Sequence, residues 1–95
     1  MAKIEKFEDI KAWQKARIMV KKMYDLSKLM RNEYELISQI KRSSGSIMDN
    51  IAEGFERGGR KEFIHFLSIA KGSSGELRSQ LYRLLDNGFI SKDIF

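Results

Sequence analysis

The amino-acid sequence predicts an all-α fold, an antiparallel up-down helical bundle, on three observations. None of the 95 residues is proline, so the long stretches of good helix formers contain no strong helix breaker. Apolar residues recur every three or four positions, which is the period of an amphipathic helix. The connections between these periodic stretches are short, as in bundles whose neighbouring helices run antiparallel. A chain of this length is sufficient for one domain, residues 1–95, with a thin core.

The first helix is expected over residues 8–30. At about 100° per residue, Trp13 lies in a wide apolar arc and the lysines lie in the opposite arc. Ile18 and Leu29 are exceptions, since both lie within the charged arc. Isolated exposed apolar residues are common in soluble proteins, but two in line on one helix also fit a contact between subunits.

The second helix is expected over residues 34–55, with Asn32 capping it or breaking the chain before it. Its apolar face includes Ser43 and Ser44, and such small side chains permit another helix to approach closely. The opposite face carries an acidic stripe that is interrupted by Arg42. The acidic stripe consists of Glu35, Asp49, Glu53 and Glu56.

A turn is expected at residues 57–60. Either Gly54 or Gly58 is expected to take the left-handed conformation that ends the second helix. The third helix follows over residues 61–86. Residues 72–75 have the composition of a loop, but the apolar residues on both sides keep one helical phase. These residues are Phe63, Ala70, Leu77 and Leu84. We therefore expect one continuous helix, narrow at residues 72–75 and packed tightly there against residues 43–45.

Eight apolar side chains on the three helices are expected to hold the core. They are Trp13, Met23, Ile40, Ile51, Phe63, Phe66, Leu77 and Leu81. Asn87 and Gly88 end the third helix, and residues 91–93 then resemble a helix start with Ser91 as the N-cap. A fourth helix is therefore expected, but it is largely missing from this chain. Three alternatives remain open: it is truncated, it is disordered, or a neighbouring subunit supplies it.

Charge and composition narrow the function classes. The formal net charge is +5 and the sequence pI is near 9.6, which favours anionic partners and nucleic acid first. Cysteine is absent, which excludes disulfides, thiolate nucleophiles and cysteine-ligated metal sites and fits a cytoplasmic location. We find neither a signal peptide nor an apolar run of ~20 residues, so no membrane contact is expected.

The basic residues are expected to bind RNA or DNA. They form a stripe on the first helix and two smaller groups. The ten residues are Lys11, Lys15, Lys21, Lys22, Lys28, Lys41, Arg42, Arg57, Arg60 and Lys61. Such contacts to phosphates are tolerant of sequence and sensitive to salt. Two alternatives remain open: the lysines pair with the acidic stripe of a neighbouring subunit, or they form an ordinary solvated surface.

A metal or catalytic site is not expected. His65 is the only histidine, and Glu62 precedes it by three positions, a spacing found in helical bundles that hold two metal ions. Such a site needs two of these pairs and further glutamates. We therefore expect no catalytic residue, no bound metal and no cofactor.

Four segments of the chain resemble one known family. Residues 7–16 are similar to its opening pattern aromatic-x-x-L-x-V-W-Q-x-A, and residues 39–42, 46–55 and 61–77 continue in the same order and spacing. The chain thus resembles the four-helix-bundle proteins encoded in intervening sequences of 23S ribosomal RNA. Two departures are the near absence of the fourth helix and Met48, which stands where the family usually has proline.

The resemblance implies an antiparallel four-helix bundle, a homopentameric ring and no enzyme activity. In a related branch, the accessory proteins of diversity-generating retroelements, basic pentamers bind nucleic acid and a reverse transcriptase. Five positions of the family motifs are assigned structural roles, and Asn50 is expected to form a hydrogen bond between helices or subunits. These positions are Asn50, Glu53, Gly54, Gly72 and Glu76.

The function predicted from charge and resemblance together is that of a non-enzymatic homo-oligomer, a pentamer, that binds RNA or DNA through its basic surface without strong sequence preference. The alternative is a protein-interaction adaptor, for example a reverse-transcriptase accessory subunit, whose charges serve subunit pairing.

Overall fold

The second of three helices lies in the middle of the structure, with one helix packed on each side of it. The structure, a computed structural model, describes residues 3–30 and 32–92. In chain order, a 3-10 turn at Phe7–Asp9 precedes α1 (Lys11–Leu29), α2 (Tyr34–Glu56) and α3 (Arg60–Asp86). Both α1 and α3 pack against α2, whereas no Cα atom of α1 lies within 8 Å of one of α3. The described residues form three helices and no strand, which confirms the all-α prediction.

The N-terminal boundary of the first helix differs from the expectation. The chain forms the 3-10 turn at Phe7–Asp9, and the helix begins at Lys11 instead of residue 8. The side-chain Nε2 of Gln14 donates a hydrogen bond of 2.9 Å to the carbonyl oxygen of Glu8, which holds the turn against the helix. The ring of Phe7 packs edge-on against Trp13 with 5.1 Å between centroids. The turn therefore extends the apolar core and does not extend the helix.

Two glycines with left-handed backbone follow the ends of α2 and α3. Gly58 has φ +82° and Gly88 has φ +80°, a region that glycine occupies without steric cost. The N–H of Phe89 then donates to the carbonyl oxygen of Leu84 at 2.9 Å, as in a Schellman cap. Of the two candidates at the end of α2, Gly58 is left-handed, whereas Gly54 is an ordinary helical residue.

The start of α2 and the expected fourth helix also differ from the sequence prediction. Glu33, and not Asn32, is the N-cap residue of α2, and its side chain makes no capping hydrogen bond. Ser91 and Lys92 are not helical. Asp93, the last residue of the expected helix start at residues 91–93, lies outside the described residues.

The glycine- and serine-rich segment at residues 72–75 is helical, so α3 is continuous as expected. The expected tight packing of its glycines is wrong. A Cβ atom placed on Gly72, Gly75 or Gly45 would meet no atom within 4 Å. At this level Ser73 of α3 contacts Ser46 of α2, and their hydroxyl oxygens lie 2.8 Å apart.

The closest approach of two helices is at Gly54 of α2. A Cβ atom placed on Gly54 would lie 2.7 Å from Cβ of Phe66 and 3.2 Å from Cδ1 of Phe63. Both aromatic residues belong to the first two turns of α3. Gly54 is itself buried, so the missing side chain is what allows α2 and α3 to meet near the turn that joins them.

Four of the eight expected core residues are buried, and the other four are half-buried. Trp13, Ile40, Ile51 and Leu77 are buried, while Met23, Phe63, Phe66 and Leu81 are half-buried. The reason is that α2 alone covers α1 and α3. The remaining buried apolar residues are Ala16, Leu26, Leu36, Ile37, Ile47, Ala70, Leu84 and Ile90.

Candidate nucleic-acid interface

Positive charge is concentrated on α1. This helix carries six lysine or arginine residues and one acidic residue, and all six cations are exposed. By contrast, α2 carries two basic and four acidic residues, and α3 carries five basic and three acidic residues. Because α1 packs against α2 with its apolar face, its cations are left on the outer surface of the structure. This outer surface of α1 is the candidate interface.

Three lysines of α1 are exposed and carry no ion pair. Lys11, Lys15 and Lys22 are all solvent-exposed, and the described residues offer none of them an acidic partner within ion-pair distance. An exposed ammonium without a partner keeps its full attraction for an anion, screened only by salt. These three lysines therefore match the exposed placement that the sequence predicted for them.

A second group of cations on α1 surrounds one carboxylate. Lys21 donates a hydrogen bond of 2.6 Å to Asp25, and Lys28 lies 3.7 Å from the same oxygen. The hydrogen bond from Lys21, supported by the nearby charges, holds the pKa of Asp25 below its ordinary value of 3.8. Two cations around one anion leave a net positive charge. A phosphate that binds here must compete with Asp25 for Lys21.

The basic pair at the middle of α2 lies beside this second group. Lys41 is half-buried, and its Nζ lies 4.9 Å from the centroid of the Tyr24 ring on α1. Arg42 is exposed and lines a shallow depression together with Tyr24 and Lys41, and Asp49 lines the same depression. Lys41 therefore lies next to the cations of α1, because it contacts Tyr24 of that helix. Arg42, by contrast, lines the same depression as the acidic residue Asp49.

The third predicted group, at the turn between α2 and α3, is separate from the stripe on α1. Arg57 pairs with Glu53 at 2.7 Å and lies over the ring of Phe66 at 5.0 Å. Arg60 and Lys61 are exposed at the start of α3. Arg57 is thus engaged by Glu53 of α2 and by Phe66 of α3.

Sequence reasoning missed Arg17. Its guanidinium lies 5.7 Å from the centroid of the Trp13 ring and is exposed. It lines a depression on α1 together with Lys21 and Lys28. The signal was available, since Arg17 precedes Lys21 by four residues and therefore lies on nearly the same side of the helix. Arg17 lies at the border between the apolar arc and the charged arc of α1, and for this reason it was not assigned to the basic stripe.

The polar motif residues of α2 and α3 form contacts between the two helices. Ser43 donates a hydrogen bond of 2.6 Å to the carboxylate of Glu76, and the hydroxyls of Ser46 and Ser73 lie 2.8 Å apart. Asn50 donates to the carbonyl and hydroxyl oxygens of Ser46 at 2.8 and 2.9 Å. The expectation of a direct bond from Asn50 to another helix of the same chain is therefore wrong, whereas a bond to a neighbouring subunit stays a prediction. Asn50 reaches α3 only through Ser46.

The remaining motif residues differ in their surroundings. Gly54 is the buried contact with α3 described above, whereas Gly72 is exposed. Glu53 is exposed and pairs with Arg57 inside α2 and its cap. Glu53 belongs to the acidic stripe, and all four residues of that stripe are exposed.

The described residues contain neither a cluster of metal ligands nor a helix that could span a membrane. His65 is exposed, and its ring lies edge-on beside Phe66 with 5.3 Å between centroids. Among residues 3–30 and 32–92, no three histidine or acidic side chains lie together as metal ligands. Within the same residues, none of the three helices has the length and apolar character needed to cross a membrane.

Comparison with known proteins identifies the family. The family model described as 23S rRNA-intervening sequence protein matches residues 8–95, which include α1, α2 and α3. No curated protein and no solved structure matches the chain. The match spans nearly all of the sequence and agrees with the motif pattern in residues 7–77. The chain therefore belongs to the family of 23S rRNA-intervening sequence proteins.

Proposed function

We propose that the protein is a non-enzymatic homo-oligomer that binds RNA or DNA through the outer surface of α1. The observation that carries this proposal is the concentration of six exposed cations on one helix whose only acidic residue is Asp25. Lysine and arginine side chains along a helix neutralise successive phosphates, and each contact releases bound counterions. The family name refers to a sequence within 23S rRNA, which makes RNA the natural first probe.

The proposed binding does not depend strongly on base sequence. Phosphate contacts position a protein on nucleic acid, whereas base-edge contacts specify sequence. The exposed cations on α1 are mostly lysines, which act as mobile point charges. Repetition of the same surface in an oligomer adds weak contacts through avidity.

The architecture that we propose is an antiparallel four-helix bundle in which α1, α2 and α3 are three of the four helices. Ser46 of α2 contacts Ser73 of α3. Farther along α2, Gly54 meets Phe66, which comes earlier in α3. This opposite order of contacts is what antiparallel helices produce. Because α1 and α3 both contact α2 but not each other, they fit two corners of a square on either side of α2, which leaves a fourth corner for a further helix.

The resemblance implies that the oligomer is a pentamer, and we adopt that number for the proposal. Light-scattering mass of the purified protein tests it directly. A mass near five times 11.1 kDa supports a pentamer, whereas a monomeric mass at the same protein concentration contradicts the ring. The absence of cysteine fits the cytoplasm as the proposed location.

The test of binding is a mobility-shift titration with RNA and DNA at increasing salt. The double variant Lys15→Gln/Lys22→Gln removes two exposed cations without breaking an ion pair. We expect weaker binding, and the slope of log affinity against log salt is expected to fall by about 0.7–0.9 for each lost phosphate contact. Binding that is indifferent to salt, or the absence of binding at low salt, would contradict the proposal.

The matched control removes the same charge elsewhere. Lys71 and Arg78 are exposed on α3 and carry no ion pair in the described residues. The variant Lys71→Gln/Arg78→Gln therefore has the same net charge as Lys15→Gln/Lys22→Gln. We expect it to keep most of the affinity. Equal losses in the two variants would show that net charge, and not the surface of α1, governs binding.

A second candidate function is a protein-interaction adaptor, for example one that docks a reverse transcriptase. The observation in its favour is that Ile18 and Leu29 are 58% and 80% exposed among the cations of α1. The basic surface and the exposed acidic stripe of α2 are also complementary. If Lys15→Gln/Lys22→Gln loses oligomer mass, the charges serve subunit pairing. If it loses nucleic acid and keeps its mass, binding is the better account.

A further inference from the structure

One exposed aromatic ring lies within the basic surface, at the seam between α1 and α2. Tyr24 is 45% exposed, and Nζ of Lys41 lies 4.9 Å from its ring centroid. This distance is within the range of a cation–π contact. The ammonium group fixes the ring from the side of α2 and leaves nearly half of the side chain in contact with solvent.

Two depressions flank this ring and differ in chemistry. The first is lined by Val20 and Met48 as well as Tyr24, and its charged lining residues are Arg17, Lys21, Lys28 and Asp25, three cations against one carboxylate. The second is polar, and its charged lining residues are Lys41, Arg42 and Asp49, two cations against one carboxylate. The seam therefore combines an apolar surface beside an aromatic ring with cations on both sides of it.

This combination matches the two chemical parts of a nucleic-acid strand. A base presents a flat π face, and aromatic side chains hold such faces by stacking. The phosphates on either side of the base carry negative charge, which arginine and lysine neutralise. In a duplex the base faces are stacked on one another and are not accessible, so an aromatic platform selects strands with unpaired bases.

Two other aromatic residues, Trp13 and Tyr34, are less suitable. Trp13 is only 8% exposed and is covered by Phe7 and Arg17. Tyr34 is 77% exposed, but it stands between two acidic residues, Glu33 and Glu35, whereas the one carboxylate next to Tyr24, that of Asp25, is paired with Lys21 and Lys28. Tyr24 is the aromatic side chain of these three that is both exposed and surrounded by cations.

We propose that Tyr24 is a stacking platform for an unpaired base, and that the seam between α1 and α2 binds single-stranded RNA or DNA in preference to a duplex. Arg17, Lys28 and Lys41 contact the phosphates that flank the stacked base. This inference rests on the proposed function, since it assigns a ligand class to part of the same surface. It adds a selectivity that lysine–phosphate contacts alone do not provide.

The experiment compares one oligonucleotide as a single strand and as a duplex, with the full-length protein and with its Tyr24→Leu and Tyr24→Phe variants. We expect Tyr24→Leu to weaken single-strand binding by about 5- to 150-fold, the range of one base–aromatic stack. Duplex binding should change less than about twofold, and the salt slope should stay the same because no charge is removed. Tyr24→Phe keeps the ring and should keep the affinity.

A fluorescent 2-aminopurine in the single strand reports stacking directly. Its emission should be quenched on binding to the original protein and to Tyr24→Phe, and not on binding to Tyr24→Leu. Tyr34→Leu is the matched control, since it removes an exposed tyrosine outside the basic surface, and it should bind as the original protein does. Circular dichroism and oligomer mass establish that each variant retains its fold and assembly.

The outcomes separate this inference from the proposed function. Salt-sensitive binding that is equal for single strand and duplex, or unchanged by Tyr24→Leu, overturns the stacking platform and leaves the proposed function intact. An equal loss of single-strand and duplex binding in Tyr24→Leu also overturns it. No binding of either probe at low salt overturns both proposals together.

Discussion

Gly54 offers the sharpest test of how α2 and α3 meet. Substitution by alanine places a Cβ atom 2.7 Å from Cβ of Phe66 and 3.2 Å from the Phe63 ring. The nearest atom is a Cβ and not the mobile end of a side chain, so rotation of Phe66 cannot relieve the contact. The two helices must separate by several tenths of an ångström, or the first turns of α3 must shift.

The magnitude follows from two opposing effects. Overpacking of a well-packed contact costs about 1–3 kcal/mol, whereas replacing glycine by alanine inside a helix gains about 1 kcal/mol. For Gly54→Ala we therefore expect a net loss of about 0–2 kcal/mol in the free energy of unfolding. The matched control is Gly72→Ala in α3, where the added Cβ meets no atom within 4 Å. It should gain about 1 kcal/mol, since only the helix-propensity term applies.

The assay is thermal and urea unfolding followed by circular dichroism, at one fixed protein concentration because an oligomer's stability depends on concentration. The expected difference in unfolding free energy between the two variants is about 1–3 kcal/mol. In a chain of this size, each kcal/mol shifts Tm by roughly 4–8 °C. If Gly54→Ala is stabilised as much as Gly72→Ala, the close approach of α2 and α3 at Gly54 is wrong. The same result would require reassignment of the helix packing near the turn.

Three further predictions concern the core, the polar contacts and pH. Leu84 is 0% exposed, so Leu84→Ala should lower the free energy of unfolding by about 2–5 kcal/mol in urea titrations; a smaller loss would place this residue outside the core. Glu76→Ala removes the acceptor of the buried Ser43 hydroxyl and should cost about 1–3 kcal/mol, while Glu76→Gln keeps an acceptor oxygen and should cost less; equal losses would contradict the hydrogen bond. Because the pKa of Asp25 is held below 3.8 in the folded protein, its pairing with Lys21 stabilises the fold above about pH 4 and is lost as the pH falls through the folded-state pKa. Carboxyl NMR titration checks this, and Lys21→Gln should raise the pKa of Asp25.

The sequence predicted the helices well because their phase is local information. The continuity of α3 through residues 72–75 followed from the seven-residue spacing of apolar positions, and the structure confirms it. The packing partner of each glycine was not local information. The sequence suggested a close helix–helix contact at Gly72 and Gly75, but the structure has that contact at Gly54. The register of α2 against α3 determines which glycine meets an aromatic residue, and the sequence of one helix does not give this register.

The candidate interface was predictable to a similar extent. The lysines of α1 are exposed as their phase indicated, since one helix alone determines which of its residues oppose the apolar face. The contact between Lys41 and Tyr24 was not predictable, because it depends on how α1 lies against α2. The contact between Arg57 and Phe66 was not predictable for the same reason, since it depends on the packing of α3.

The two flanks of α1 have different consequences for assembly and for binding. Tyr24 follows Lys15 by nine residues, or about 900° at 100° per residue, so the two side chains lie on opposite flanks of the helix. Lys41 of α2 lies over Tyr24, which places Tyr24 on the flank beside α2. Lys15 therefore lies on the flank away from α2, which borders the corner where we propose that a further helix packs.

In the proposed arrangement Lys15 is accessible to both a phosphate and an approaching subunit, whereas the seam around Tyr24 faces away from the corner of the further helix. The double variant Arg17→Gln/Lys28→Gln alters the seam, since both residues line the same depression as Tyr24. We expect it to weaken nucleic-acid binding in mobility-shift titrations while the light-scattering mass stays unchanged. A loss of mass in this variant would show that the seam between α1 and α2 is itself a subunit contact, and the base-stacking surface would then be buried in the oligomer.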